Sequence, residues 1–152
     1  MQLSEILLAD IKTILQQARQ KAYAAVNTAM VQAYRQIGKR IVEEEQQVKE
    51  RADYGTFLIN QLSKQLSGEF GKGFSIANLW NFRQFYNTFP DPEILYVARR
   101  ELTWTHYRLI IRVENPEARS YYLDEASAQN WSTRILERNI NTLYYERLIQ
   151  GF

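Results

Sequence analysis

Apolar positions recur at spacings of three and four along most of the chain, a rhythm that predicts a protein built mainly of helices. Leu3, Ile6, Leu7, Ile11, Ile14, Leu15 and Ala18 share one face, with Ser4 placed to cap the first turn. They predict an amphipathic helix running to about Tyr23. A second is expected from a cap at Asn27 or Thr28 through Met30, Val31, Tyr34, Ile37, Ile41 and Val48, ending in the charged run EEEQQVKERADYG. Gly55 then allows a turn. Phe57, Leu58, Leu62, Leu66 and Phe70 make a third helix, and GEFGKGFS supplies glycines where that helix must stop.

Ser75 is a good cap for a fourth helix from Ile76 to about Asn87, stopped by Phe89-Pro90 with Pro92 beyond. Its sequence, SIANLWNFRQFYN, sets large aromatics beside amides and a single arginine. Thr103 caps a fifth helix, TWTHYRLIIRV, in which Trp104, Tyr107 and Ile111 share a face and Arg108 and Arg112 lie one turn apart. Asn115-Pro116 closes it. Glu117 to Gln129 and Ser132 to Ile149 read as two more helices, separated near Asn130-Trp131.

Composition narrows this to one helical domain spanning residues 1–152. Six Gly and three Pro among 152 residues are too few for the turns of an all-β fold, and 45% apolar residues suffice for one core. With no Cys, disulfide frameworks, thiol nucleophiles and cysteine-based metal sites are excluded. The single His106 removes any metal site needing two imidazoles. The longest uncharged stretch, Ala22 to Tyr34, is shorter than the roughly 18 residues of a membrane span. Glu5 and Asp10 interrupt the first apolar run, which also lacks a basic leader, so no secretory signal is expected and a cytoplasmic protein is. The net charge of +2 is uneven. Residues 71–113 carry six basic and three acidic side chains, whereas 114–152 carry four and six.

The basic middle contains a helix, a glycine turn and a second helix with an amide-rich side, the layout of a helix-turn-helix DNA reader. In that arrangement the third helix braces and the fourth reads. Asn78, Asn81, Gln84 and Thr88 are the polar residues left after two packing stripes are assigned, Ile76, Leu79, Trp80 and Arg83, and Phe82, Phe85, Tyr86 and Phe89. Asn and Gln pair with adenine in the major groove, while Lys72 and Ser75 at the helix entrance suit phosphate. The competing reading is a core helix whose amides are merely solvated. Arg108 and Arg112 either face phosphate or pair with Glu101 and Glu114. His106 is either a structural hydrogen-bonding group, a phosphate or base contact, or an acid-base group. Trp80, Trp104 and Trp131 with Tyr121-Tyr122 and Tyr144-Tyr145 either stack on bases or form core and interface.

Enzyme signatures are missing. The one acid-x-Lys triplet, Asp10-Ile11-Lys12, falls inside the first helix and not on a strand, as a metal-dependent nuclease would require. No Walker loop, GxSxG elbow or dinucleotide fingerprint occurs. No catalytic residue, metal or cofactor is therefore assigned.

The strings YGTFLINQLSKQLSGEFGKGFSIANLWNFRQFYNTFP, LTWTHYRLIIRV and ARSYYLDEASAQNWSTRILERNI, taken in order, resemble the YhcG N-terminal domain family across nearly the whole chain. The matching pieces include Gly73-Phe74-Ser75 with Asn78-Leu79, Arg83 with Phe85-Tyr86, Leu102 to Tyr107, and Trp131-Ser132 with Arg134 and Leu136. The chain departs from the family by carrying Asn81-Phe82 where a methionine is usual. The resemblance implies a mostly α helical bundle with a helix-turn-helix or winged-helix-like unit. In longer bacterial relatives such a unit precedes a PD-(D/E)XK nuclease domain, which these residues lack.

Two functions follow as expectations. One is a noncatalytic module that binds duplex DNA through Lys72, Ser75, Asn78, Asn81, Gln84, Arg108, Arg112 and, as a lesser candidate, His106, and so targets a linked nuclease. The other is a helical interaction module, a homodimer among its forms, with an apolar surface at Trp131, Tyr144 and Tyr145.

Overall fold

The computed structural model describes residues 2–48, 53–95 and 102–151, and these form seven α-helices and one 3-10 turn, Pro92–Leu95, with no strand among them. The fold class is thus all-α. A winged-helix form of the reader has no wing among the described residues. The helices are α1 Glu5–Gln47, α2 Tyr54–Phe70, α3 Ile76–Thr88, α4 Trp104–Ile110, α5 Pro116–Ala128, α6 Thr133–Asn141 and α7 Tyr144–Ile149. Capping residues set most of the starts. The side chains of Ser4, Ser75, Thr103, Asn115 and Ser132 each accept a hydrogen bond from a backbone N–H of the first turn.

The sequence predicts two helices where the structure has one. α1 runs unbroken through Asn27 and Thr28, and the Asn27 amide donates to the Leu102 carbonyl at 2.8 Å instead of capping a new helix. With no Gly or Pro between Leu3 and Ile37, nothing local stops the helix. At 43 residues it is about 65 Å long. Its second half buries Val31, Arg35, Gly38 and Ile41, whereas nearly all of its first half is exposed.

α3 lies across that second half so closely that a Cβ at Gly38 would stand 2.0 Å from the Phe82 carbonyl oxygen. The close approach lets Leu79, Phe82 and Phe85 become fully buried. Arg35, itself buried, closes the far end of α3. Its Nε donates to the Phe89 carbonyl at 2.9 Å, an η nitrogen donates to the Pro90 carbonyl, and the guanidinium lies 5.3 Å from the Tyr86 ring centre. A buried cation is thereby matched to the negative end of a helix.

The core has two parts. Ile41, Ile59, Leu79 and Phe82 unite α1, α2 and α3, and a larger group around Phe85, Tyr107, Ile110, Tyr122 and Leu136 unites α3 to α6. Trp104 joins them, with ring centres 5.1 Å from Phe82, 5.2 Å from Phe85 and 5.2 Å from Tyr34.

The expected last helix is divided. Leu143 adopts a left-handed conformation (φ 57°), so α6 and α7 are separate. The compensation is tertiary: the buried Tyr122 hydroxyl accepts from the Tyr145 N–H at 3.0 Å and donates to the Glu146 carboxylate at 3.0 Å, capping α7 from another helix. Burial pushes that hydroxyl up to about 12, and Glu146 adds to the effect.

Candidate nucleic-acid interface

The turn Gly71–Ser75 joins α2 to α3, with Gly71 and Gly73 both at positive φ (77° and 109°) where a side chain would strain the backbone. Ser63 Oγ donates to the Phe74 carbonyl at 2.8 Å and holds the turn against α2. The Ser75 hydroxyl accepts from the Asn78 N–H at 3.1 Å, and both Lys72 and Ser75 are exposed.

α3 rotates its residues differently from the sequence-based assignment. Asn78 lies on the packed side, where Oδ1 accepts from Trp104 Nε1 at 3.0 Å and Nδ2 donates to the Gly73 carbonyl at 2.5 Å. Both ends of that amide serve the fold. Trp80, assigned to packing, is instead 37% exposed. Ile76, also assigned to packing, is exposed too, and the exposed residues of α3 are Ile76, Ala77, Trp80, Gln84 and Asn87, flanked by half-buried Asn81 and Thr88. Asn87 was missed because the predicted helix ended there, although its position one turn after Arg83 and Gln84 places it on the same side.

Gln84 Nε2 donates to the Ile111 carbonyl at 3.0 Å, which brings the exposed face of α3 to the end of α4. Arg112 is exposed there. Arg108 is half-buried, and its Nε is buried without a hydrogen-bond partner among the described residues. Glu101, one of its expected partners, lies outside the described residues, as do Arg99 and Arg100. Lys72, Arg108 and Arg112 form no ion pair among the described residues. Arg83 differs: its Nε donates to both Glu45 oxygens at 2.9 Å, and its guanidinium lies 5.6 Å from the Trp80 ring centre. Asn81 is half-buried and makes no hydrogen bond among the described residues.

His106 is buried and both of its ring nitrogens are engaged. Nδ1 accepts from the Thr103 N–H at 3.0 Å, so Nε2 carries the proton and donates to the Trp131 carbonyl at 2.8 Å. The ring ties α4 to the α5–α6 turn and is remote from solvent chemistry. Burial lowers its pKa from 6.5, outweighing the opposite pull of the Trp131 carbonyl. The unfolded chain therefore binds a proton that the folded chain refuses. Stability should be full above about pH 6.5 and decline as pH falls below it, by up to about 1.4 kcal/mol per unit. Urea unfolding at pH 7.5 and 5.5 checks this, and His106→Gln should flatten the dependence.

Trp131, Tyr144 and Tyr145 are half-buried against the larger core group, with Trp131 and Tyr144 ring centres 5.8 Å apart. Each of the three keeps part of its surface exposed, beside exposed Leu143, Leu148 and Ile149. Among the described residues no three His, Asp or Glu side chains are grouped to hold a metal, and no helix is long and apolar enough to cross a membrane.

The family described as DUF1016 N-terminal domain matches residues 10–147. A protein of Escherichia coli (strain K12) named "Putative nuclease YhcG" is 35% identical over 90% of this chain. The chain spans 44% of that relative's length. No solved structure matches.

Proposed function

The chain belongs to the DUF1016 N-terminal domain family, and from that premise we propose that it is a noncatalytic module that binds duplex DNA and presents it to a linked nuclease domain. The observation that carries the reading is the exposed face of α3, where an amide-bearing surface lies between cations that form no ion pair among the described residues. Lys72 stands at its entrance with Ser75, and Gln84 bonds the end of α4, where Arg112 follows Ile111 and Arg108 precedes it by one turn. Phosphate contacts at the two ends would set the register of a duplex, and Asn81, Gln84 and Asn87 would meet base edges between them. α2 then braces α3 as the first helix of a helix-turn-helix pair. Asn78 and His106 act behind this surface by holding α3 and α4 in place. A reader of this kind works beside the bacterial chromosome in the cytoplasm.

Two sets of variants separate these roles. Arg112→Ala and Lys72→Ala should weaken binding of all duplexes alike, each making the slope of log K against log salt shallower by about one. Gln84→Ala and Asn81→Ala should leave that slope unchanged and level the differences between sequences, at about 1–3 kcal/mol per lost base contact. Fluorescence anisotropy on a duplex panel at several salt concentrations reads both. Binding that persists unchanged in all four variants would remove this face from the account.

A further inference from the structure

The first half of α1 is exposed and packs on no other helix among the described residues. Leu3, Leu7, Ile11, Ile14 and Leu15 are 45–64% exposed, and the same face continues through Ala18, Ala22, Ala25 and Ala29 to Ala33. At 100° per residue these positions fall within about 120° of the helix circumference. Val31, Arg35 and Gly38, which pack into the domain, lie about 100–160° from the middle of that stripe. The stripe therefore lies mostly off the side that the domain buries, and it meets the domain's core only at its end, where Ala33 is one turn before Ile37.

Its spacing is symmetric about Ala18. Leu3 mirrors Ala33, Leu7 mirrors Ala29, Ile11 mirrors Ala25 and Ile14 mirrors Ala22. Large side chains fill one half and alanines the other. We propose that this arm pairs antiparallel with the arm of a second copy, centred on Ala18, so that Leu3, Leu7, Ile11 and Ile14 each meet an alanine of the other copy, while Leu15 lies opposite the aliphatic stem of Lys21.

A parallel pair would set Leu on Leu at one end and Ala on Ala at the other, wedging the helices apart and losing contacts at the narrow end. Charge selects the same orientation. The leading half carries Glu5 and Asp10 against Lys12, while the trailing half carries Arg19 and Lys21 and no acid up to Ala33. Reversing one copy opposes the signs, and aligning them does not. The seam is about 45 Å long and about 10 Å wide on each copy, so pairing buries on the order of 1,000 Å², the threshold for a specific interface. At its end, beside Ala33, an apolar groove of about 550 Å³ opens between α1 and α2, lined by Ile37, Leu62 and Leu66. The Leu3 of a second copy arrives at that groove and fills its mouth.

The full chain should sediment as a dimer at micromolar concentration, and the double variant Ile11→Asp, Ile14→Asp should sediment as a folded monomer, because both positions face solvent in the single chain. Orientation is read with introduced cysteines, the chain having none of its own. Ala18→Cys should form a disulfide-linked dimer under mild oxidation. Leu3→Cys should not, since the two residues 3 lie about 45 Å apart in the antiparallel pair. A native chain that stays monomeric would overturn the proposal, as would a charged variant that stays dimeric, or Leu3→Cys cross-linking as readily as Ala18→Cys. Duplex binding by a strict monomer would overturn this inference and leave the DNA-binding reading standing.

Discussion

Gly38→Ala will destabilise the chain by about 2–4 kcal/mol, although helix propensity alone favours the change by about 1 kcal/mol. The sign is reversed by one contact. An added methyl would lie 2.0 Å from the Phe82 carbonyl oxygen, which is backbone and cannot rotate away, so α1 and α3 must separate by more than 1 Å. Separation opens the packing of Leu79, Phe82 and Phe85, all fully buried at that junction. A matched control sits in α2. Gly68 has no atom within 4 Å of the place a Cβ would take, so Gly68→Ala should stabilise by up to about 1 kcal/mol. Urea midpoints for the two variants should move in opposite directions. Equal shifts would mean that α1 and α3 do not touch there.

The second large effect is expected at Trp104. Its indole lies against Tyr34, Phe82 and Phe85, joining the two parts of the core, and it donates to Asn78 on the packed side of α3. Trp104→Ala should cost about 3–5 kcal/mol through lost contacts and an unfilled volume. Trp104→Phe keeps a ring in place but removes the donor to Asn78 Oδ1, and should cost about 1–2 kcal/mol. Because the same bond sets the rotation of α3, the Phe variant should also weaken DNA binding while the chain remains folded. Thermal unfolding and anisotropy on the same samples distinguish the two consequences.

What could be read from the sequence was local. Ser4, Ser75 and Thr103 announced helix starts through side chains that bond the first turn, and each does so in the structure, whereas Asn115, read as the end of one helix, caps the next. Features decided by distant partners were not legible. Asn27 has the chemistry of a cap, yet Leu102 offers its amide a carbonyl and the helix passes through. Leu143 carries no sign of a break, because the residue that makes the break tolerable is Tyr122, on another helix.

The site follows the same rule. Lys72, Gln84 and Arg112 reach the surface as their types led one to expect. In α3, however, aromatic residues surround the helix, and only the position of α1 and Trp104 decides that Asn78 turns inward and Trp80 outward. His106 looked chemically versatile in isolation. In the fold its two nitrogens bond the cap of its own helix and the carbonyl of Trp131.

The claim that joins these observations is that the solvent face of α3, with its flanking cations, holds duplex DNA. It is tested most directly by titrating the native chain with duplex DNA across a range of salt concentrations. Three cations, Lys72, Arg108 and Arg112, predict a line of slope about −3 per chain for log K against log salt. A folded chain that shows no salt-dependent binding to any duplex would contradict it.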